Sequence, residues 1–150
     1  MHADPPRSPL AERPRVLGVD PGARRVGLAV SDPLGLTAQG LETFVRGRGS
    51  LLAHLEALAR DYALERVVVG LPRRLDGGEG DAAASARQLA ARIATALGLP
   101  VELWDERLTS AAAQRAFPAG SRKDWDRLAA VFILQSWLDA RAGTEPEASA

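Results

Sequence analysis

At 150 residues and 15.9 kDa the chain has the size of one domain with a single core. A 46% hydrophobic and 25% charged composition is ordinary for a globular protein and excludes disorder of the whole chain. Nineteen basic residues balance nineteen acidic ones, so net charge argues for neither a nucleic-acid nor a membrane partner, and only the placement of charges can. The absence of cysteine excludes disulfides, thiolate metal sites and cysteine nucleophiles. No apolar run approaches the roughly 20 residues that span a bilayer, and Met1–Pro14 is proline-rich and charged without a signal-peptide core. The expectation is a cytoplasmic domain with no membrane partner.

In chain order, residues 1–14 read as a polar tail, 15–142 as the folded domain, and 143–150 (GTEPEASA) as a second tail without apolar anchors. The domain opens with VLGVD, Val16–Asp20, stopped by Pro21-Gly22. A second strand, Val26–Ser31, follows after too few residues for a parallel return, so the two are antiparallel neighbours. Residues 37–44 suggest a third strand, interrupted by Gly40. Leu51, Leu52, Leu55, Leu58, Ala59 and Tyr62 recur at helical spacing. RVVVGLP, Arg66–Pro72, reads as a strand buried on both faces. After the loop RRLDGGEGD comes a helix with Ala86, Leu89, Ala90, Ile93 and Leu97 on one stripe and Gly98 as its cap.

VELWD, Val101–Asp105, predicts another strand, and Thr109 to about Phe117 a short helix. Ser121 and Asp124 have the spacing of a capping box before a last helix that is apolar on nearly every side from Leu128 to Leu138. Such a helix is either deeply buried or covered by another subunit, which allows a monomer or a homodimer. The order describes a mixed five-stranded α/β sheet with a central first strand and helices on both faces.

Three acidic sites then converge. Asp20 ends the central strand, where open α/β sheets place ligands, although an aspartate also suits a tight turn. Asp105 and Glu106 end a strand parallel to it, and only one of these neighbours can face Asp20. Asp126 lies in the first turns of the last helix, where the helix dipole alone could account for it. Carboxylates converging at one sheet edge repel unless a cation sits among them. Oxygen donors without nearby histidine or cysteine favour Mg²⁺ or Mn²⁺, the ions of phosphoryl transfer. Arg24, Arg25, Arg73, Arg74, Arg107, Arg122 and Lys123 occupy loops of the same edge, a distribution suited to nucleic-acid phosphates as well as to a solvated rim. The loop Gly77–Gly80 could close over a substrate. His2 and His54 are poor candidates for catalysis, and Trp104, Trp125 and Trp137 fit a core or an interface.

The segments LGVDPGARRVGLAVSD, VVVGLPRRLDGGEG, WDERLTS and KDWDRLAAVFILQSWL, in this order and spacing, resemble the YqgF (RuvX) family, the pre-16S rRNA nuclease family similar to Holliday-junction resolvases. The resemblance covers nearly all of residues 15–140 and implies a ribonuclease H-like fold. It also implies catalytic acids at Asp20, Glu106 and Asp126, with Glu106 preferred to Asp105 by the middle position of the Asp-Glu-Arg motif. Resolvase relatives carry another acid one turn before the last aspartate. Lys123 stands there in this chain, which implies a smaller ligand set. The implied activity is metal-dependent trimming of the 5′ end of pre-16S rRNA. Branched DNA is the alternative substrate, and a catalytically weak RNA-binding assembly factor is the alternative from a different class. An actin-like ATPase would need a second lobe that a domain of this size lacks.

Overall fold

The computed structural model describes residues 13–73, 76–109 and 122–144, the last stretch with side chains from 127 to 142. The strands are β1 (Arg15–Asp20), β2 (Arg25–Ser31), β3 (Ala38–Gly40), β4 (Phe44–Val45), β5 (Leu64–Leu71) and β6 (Val101–Asp105). The helices are α1 (Leu51–Asp61), α2 (Asp81–Leu97) and α3 (Arg122–Thr144). The main sheet runs β3-β2-β1-β5-β6, and β4 adds a short sixth strand on β2. The single third strand expected over 37–44 is thus two short ones, because regular pairing with β2 stops at Gly40, with one further bond from the Leu41 N–H to the Leu28 carbonyl, and resumes at Phe44. The sheet has six strands rather than five for that reason.

β1 is central, antiparallel to β2 and parallel to β5, and β5 is parallel to β6. Val19 lies opposite Val69, and Leu71 lies opposite Asp105. The carboxyl ends of β1, β5 and β6 therefore share one edge of the sheet. Alternation sorts their side chains between two layers. Leu17, Val19, Val67 and Val69 meet Leu55 of α1 and Leu89 and Ile93 of α2 on one face. Val16 and Val68 meet Ala130, Ile133, Leu134 and Trp137 of α3 on the other. Each of these large aliphatic side chains, buried from water, contributes about 1.5–3 kcal/mol before entropy is counted.

Helix ends follow local chemistry. The Ser50 side chain accepts the Ala53 N–H and starts α1, and Gly98, in the left-handed conformation, closes α2 as expected. α3 lies close on the sheet because β1 carries a glycine beneath it: a Cβ on Gly18 would stand 2.7 Å from Cβ of Leu134. Two neighbouring polar residues of α3 reach in different directions. The Gln135 amide accepts the Ala38 N–H at 2.9 Å and donates to the Leu36 carbonyl at 3.0 Å. The Ser136 hydroxyl accepts from the Trp104 indole at 3.1 Å and donates to the Leu108 carbonyl at 3.2 Å. α3 is thus buried on its sheet-facing side and half-buried along its flanks.

The helix expected from Thr109 to Phe117, apart from Thr109 itself, and the capping box of Ser121 and Asp124 lie outside the described residues. At the other end of the domain, the Arg13 N–H donates to the Pro33 carbonyl at 2.6 Å.

Candidate active site

Asp20 is the last residue of the central strand, and its position is fixed by pairing on both sides of β1. β6 ends at Asp105, and the chain then makes one 3₁₀ turn, Glu106–Leu108. Asp105 caps that turn by accepting the Arg107 N–H at 2.9 Å. The turn carries the Glu106 side chain back over the end of β5, where a Cβ on Gly70 would stand 2.9 Å from Oε1 of Glu106 and 2.6 Å from Cδ1 of Ile133. Glycine at 70 therefore leaves the space that the carboxyl group fills. A glycine inside a continuous β-branched run is the sequence signal for such an approach.

There the Glu106 carboxyl is hydrogen-bonded to Asp20. Burial pushes the Glu106 pKa up, the hydrogen bond to Asp20 works against that rise, and the charge of Asp105 adds to it. Two carboxyl groups this close disfavour ionisation of both at once.

Asp105 faces away from the pair. Its carboxylate receives Nε of Arg107 at 3.1 Å and Nη2 at 2.7 Å, and the Arg107 hydrogen bond holds its pKa below the usual carboxylate value. It also lies 3.8 Å from Nε of Arg73. The two adjacent acids at the end of β6 are thus divided, one toward Asp20 and one toward arginine.

Arg73, just past β5, also lies 3.5 Å from Glu79. Glu79 in turn takes two hydrogen bonds of 2.7 Å from Arg87 of α2, and the first of these interactions keeps its pKa low. The loop proposed to close over substrate is therefore tied to α2 through Glu79. Neither Glu79 nor Arg87 stands out in the sequence, because the two lie on either side of a loop–helix boundary and belong to no periodic pattern.

Arg24 is exposed in the β1–β2 turn, and Arg25 begins β2. Arg74 and the side chains of Arg122, Lys123, Trp125 and Asp126 lie outside the described residues, so the structure brings together two of the three predicted acids. Among the described residues no group of three metal-binding side chains is assembled, and no helix is long and apolar enough to cross a membrane. His54 stacks on Phe44 with ring centroids 5.1 Å apart, and Trp104 and Trp137 pack in the α3 layer, as expected of structural residues.

Comparison with known proteins decides the lineage. The family model described as "RuvX: Holliday junction resolvase" matches residues 14–140. The chain belongs to the RuvX family. A relative from Myxococcus xanthus is 49% identical over 135 residues, covering 84% of this chain and 88% of its own length. One from Symbiobacterium thermophilum is 47% identical over 142 residues, covering 89% and 97%. Both bear the name "Putative pre-16S rRNA nuclease". Among solved structures, Thermus thermophilus RuvC in complex with a Holliday junction substrate superposes with a TM-score of 0.60 at 19% identity, covering 88% of this chain and 98% of RuvC. This RuvX-family chain therefore shares the ribonuclease H-like fold of RuvC.

Proposed function

We propose that this RuvX-family chain is a nuclease that hydrolyses phosphodiester bonds with Mg²⁺ or Mn²⁺ and trims the 5′ end of pre-16S rRNA in the cytoplasm. Asp20, Glu106 and Asp126 are its catalytic acids and its metal ligands. The observation that carries this reading is the Asp20–Glu106 contact across the carboxyl ends of β1 and β6. Its substrate is taken from the names of its relatives.

The donor set fits a hard divalent cation. Both described acids offer oxygen, and their mutual repulsion when ionised would be relieved by a positive ion. When bound, the ion supplies Lewis acidity toward the phosphodiester and the attacking water. The chain supplies the rest. β1 holds Asp20 rigidly at mid-sheet, and Gly70 admits Glu106 beside it. Burial raises the Glu106 pKa, so leaving it ionised beside Asp20 is costly, and a cation held by the two carboxylates would offset that cost. Arg24, Arg25, Arg73, Arg74, Arg107 and Lys123 take backbone phosphates, which position the strand without reading its sequence.

The test is cleavage of a pre-16S leader RNA and of a matched DNA in Mg²⁺, Mn²⁺ or EDTA. RNA cleavage that stops in EDTA and in Glu106→Gln is the expected result. Full activity in excess EDTA would refute the metal role. Cutting confined to a four-way DNA junction would move the substrate to branched DNA, the reading that the family description favours.

A further inference from the structure

Five charged side chains form one alternating series along the edge that carries the acids: Arg107, Asp105, Arg73, Glu79 and Arg87. The outer links are well made. Arg107 meets Asp105 at 2.7 Å, and Arg87 meets Glu79 at 2.7 Å through two nitrogens. The inner links are not. Arg73 is 3.8 Å from Asp105 and 3.5 Å from Glu79. Its Nε is buried and has no hydrogen-bond partner among the described residues. A buried donor without an acceptor is costly, and a guanidinium is built for bidentate bonds to oxyanions. Each acid beside it is already satisfied by another arginine, so Arg73 is the member of the series with bonding capacity to spare.

We infer that Arg73 is a phosphate subsite for the nucleic-acid backbone and that Glu79 competes with the phosphate for it. The inference deepens the nuclease reading and rests on it for the kind of phosphate bound. Arg73 stands two residues beyond Leu71 at the end of β5 and touches the carboxylate next to Glu106, so the phosphate it holds is a neighbour of the one at the acids. An arriving phosphate takes the place of Glu79 at Arg73, while Arg87 continues to neutralise Glu79. Glu79 is therefore a positioning residue that weakens binding, a role opposite in sign to that of a simple loop fastener.

The experiment is a double-mutant cycle on the full chain in EDTA, with binding of a fluorescein-labelled single-stranded RNA read by anisotropy at several salt concentrations. Arg73→Ala should weaken binding and lower the log–log salt slope by about 0.7. Glu79→Gln should tighten binding about two- to fivefold, the scale of one exposed ion pair released. In the Arg73→Ala background Glu79→Gln should change nothing. If it tightens binding equally in both backgrounds, the effect is general charge and the inference fails. Weaker or unchanged binding in Glu79→Gln alone also overturns it.

Arg73→Gln serves as a second background should Arg73→Ala unfold, as read by circular dichroism. Inorganic phosphate separates this inference from the reading beneath it. If the protein binds no RNA but phosphate raises the melting temperature only while Arg73 is present, the anion site stands and the nuclease reading falls. If Arg73 affects neither probe, the subsite itself is wrong.

Discussion

Replacing Gly70 by alanine would put a methyl carbon 2.6 Å from Cδ1 of Ile133 and 2.9 Å from Oε1 of Glu106. Both contacts are closer than real Cβ atoms make, so something must move. The Ile133 contact is with the far end of a side chain, which can rotate, so the cost lies at the lower end of the overpacking range, about 1 kcal/mol. For a domain of this size that is a fall in melting temperature of about 3–5 °C. The Glu106 contact is different in consequence, because the carboxyl group must swing away from Asp20. Gly70→Ala should therefore melt only slightly below the wild type yet lose both cleavage and the rise in melting temperature that Mn²⁺ should give the wild type.

Gly18→Ala is the contrasting case. Its Cβ would meet Cβ of Leu134 at 2.7 Å and the Ala130 carbonyl at 3.3 Å, atoms that no rotamer can withdraw. α3 would have to lift, at a cost of about 3 kcal/mol. Melting curves with and without Mn²⁺, beside initial cleavage rates, distinguish the two. Should Gly70→Ala keep the wild-type rate and its full response to Mn²⁺, the argument that glycine makes room for a working Glu106 is refuted.

Asp20→Asn, Glu106→Gln and Asp126→Asn should each abolish cleavage while RNA binding persists, and their losses should not add if the three serve one metal site as proposed. Asp105→Asn should retain its maximal cleavage rate, since its carboxylate faces arginine; loss of that rate with normal binding would place the metal on the other side of β6. Because burial raises the Glu106 pKa, the metal-free folded state holds a proton that the unfolded chain has lost above its ordinary value of 4.5. Metal-free stability should thus fall as pH rises from that value through the folded pKa. Denaturant melts of Glu106→Gln should lack this decline, and an identical decline would assign it to another group. A chain cut to residues 15–142 should keep cooperative unfolding, losing the Arg13–Pro33 hydrogen bond but, among the described residues, no apolar contact of the core; a non-cooperative melt would show that a terminal segment packs on the domain.

Elements with strong periodicity were legible in the sequence. β1, β2, β5, β6, α1 and α2 follow from β-branched runs, helical stripes and caps, which act over short distances. β3 and β4 were merged because two- and three-residue strands carry no period of their own; their existence is decided by pairing with β2. The division between Asp105 and Glu106 was legible as a rule, since neighbours at a strand end diverge. Which acid faced Asp20 came from the family motif, because the deciding 3₁₀ turn depends on the Asp105 cap and on space at Gly70. The ion series through Arg73 and Glu79 was not legible, since its members come from three elements that only the folded sheet brings together.

The adjacent residues Gln135 and Ser136 act on α3 as a rotational lock. Successive helix positions differ by about 100° of azimuth, and these two fasten to opposite margins of the sheet, one to Ala38 and Leu36 beyond β2, the other to Trp104 and Leu108 beside β6. A slip of one residue would break both fastenings at once and turn the Ile133–Leu134 seam away from Gly18 and Gly70. The two fastenings together favour one azimuth of the helix on the sheet. Asp126 lies nine residues before Gln135, about 13 Å along the axis, so the azimuth of its turn follows from fastenings farther along the same helix. Two side chains outside the proposed catalytic set thus fix the azimuth of the helix whose first turns carry Asp126.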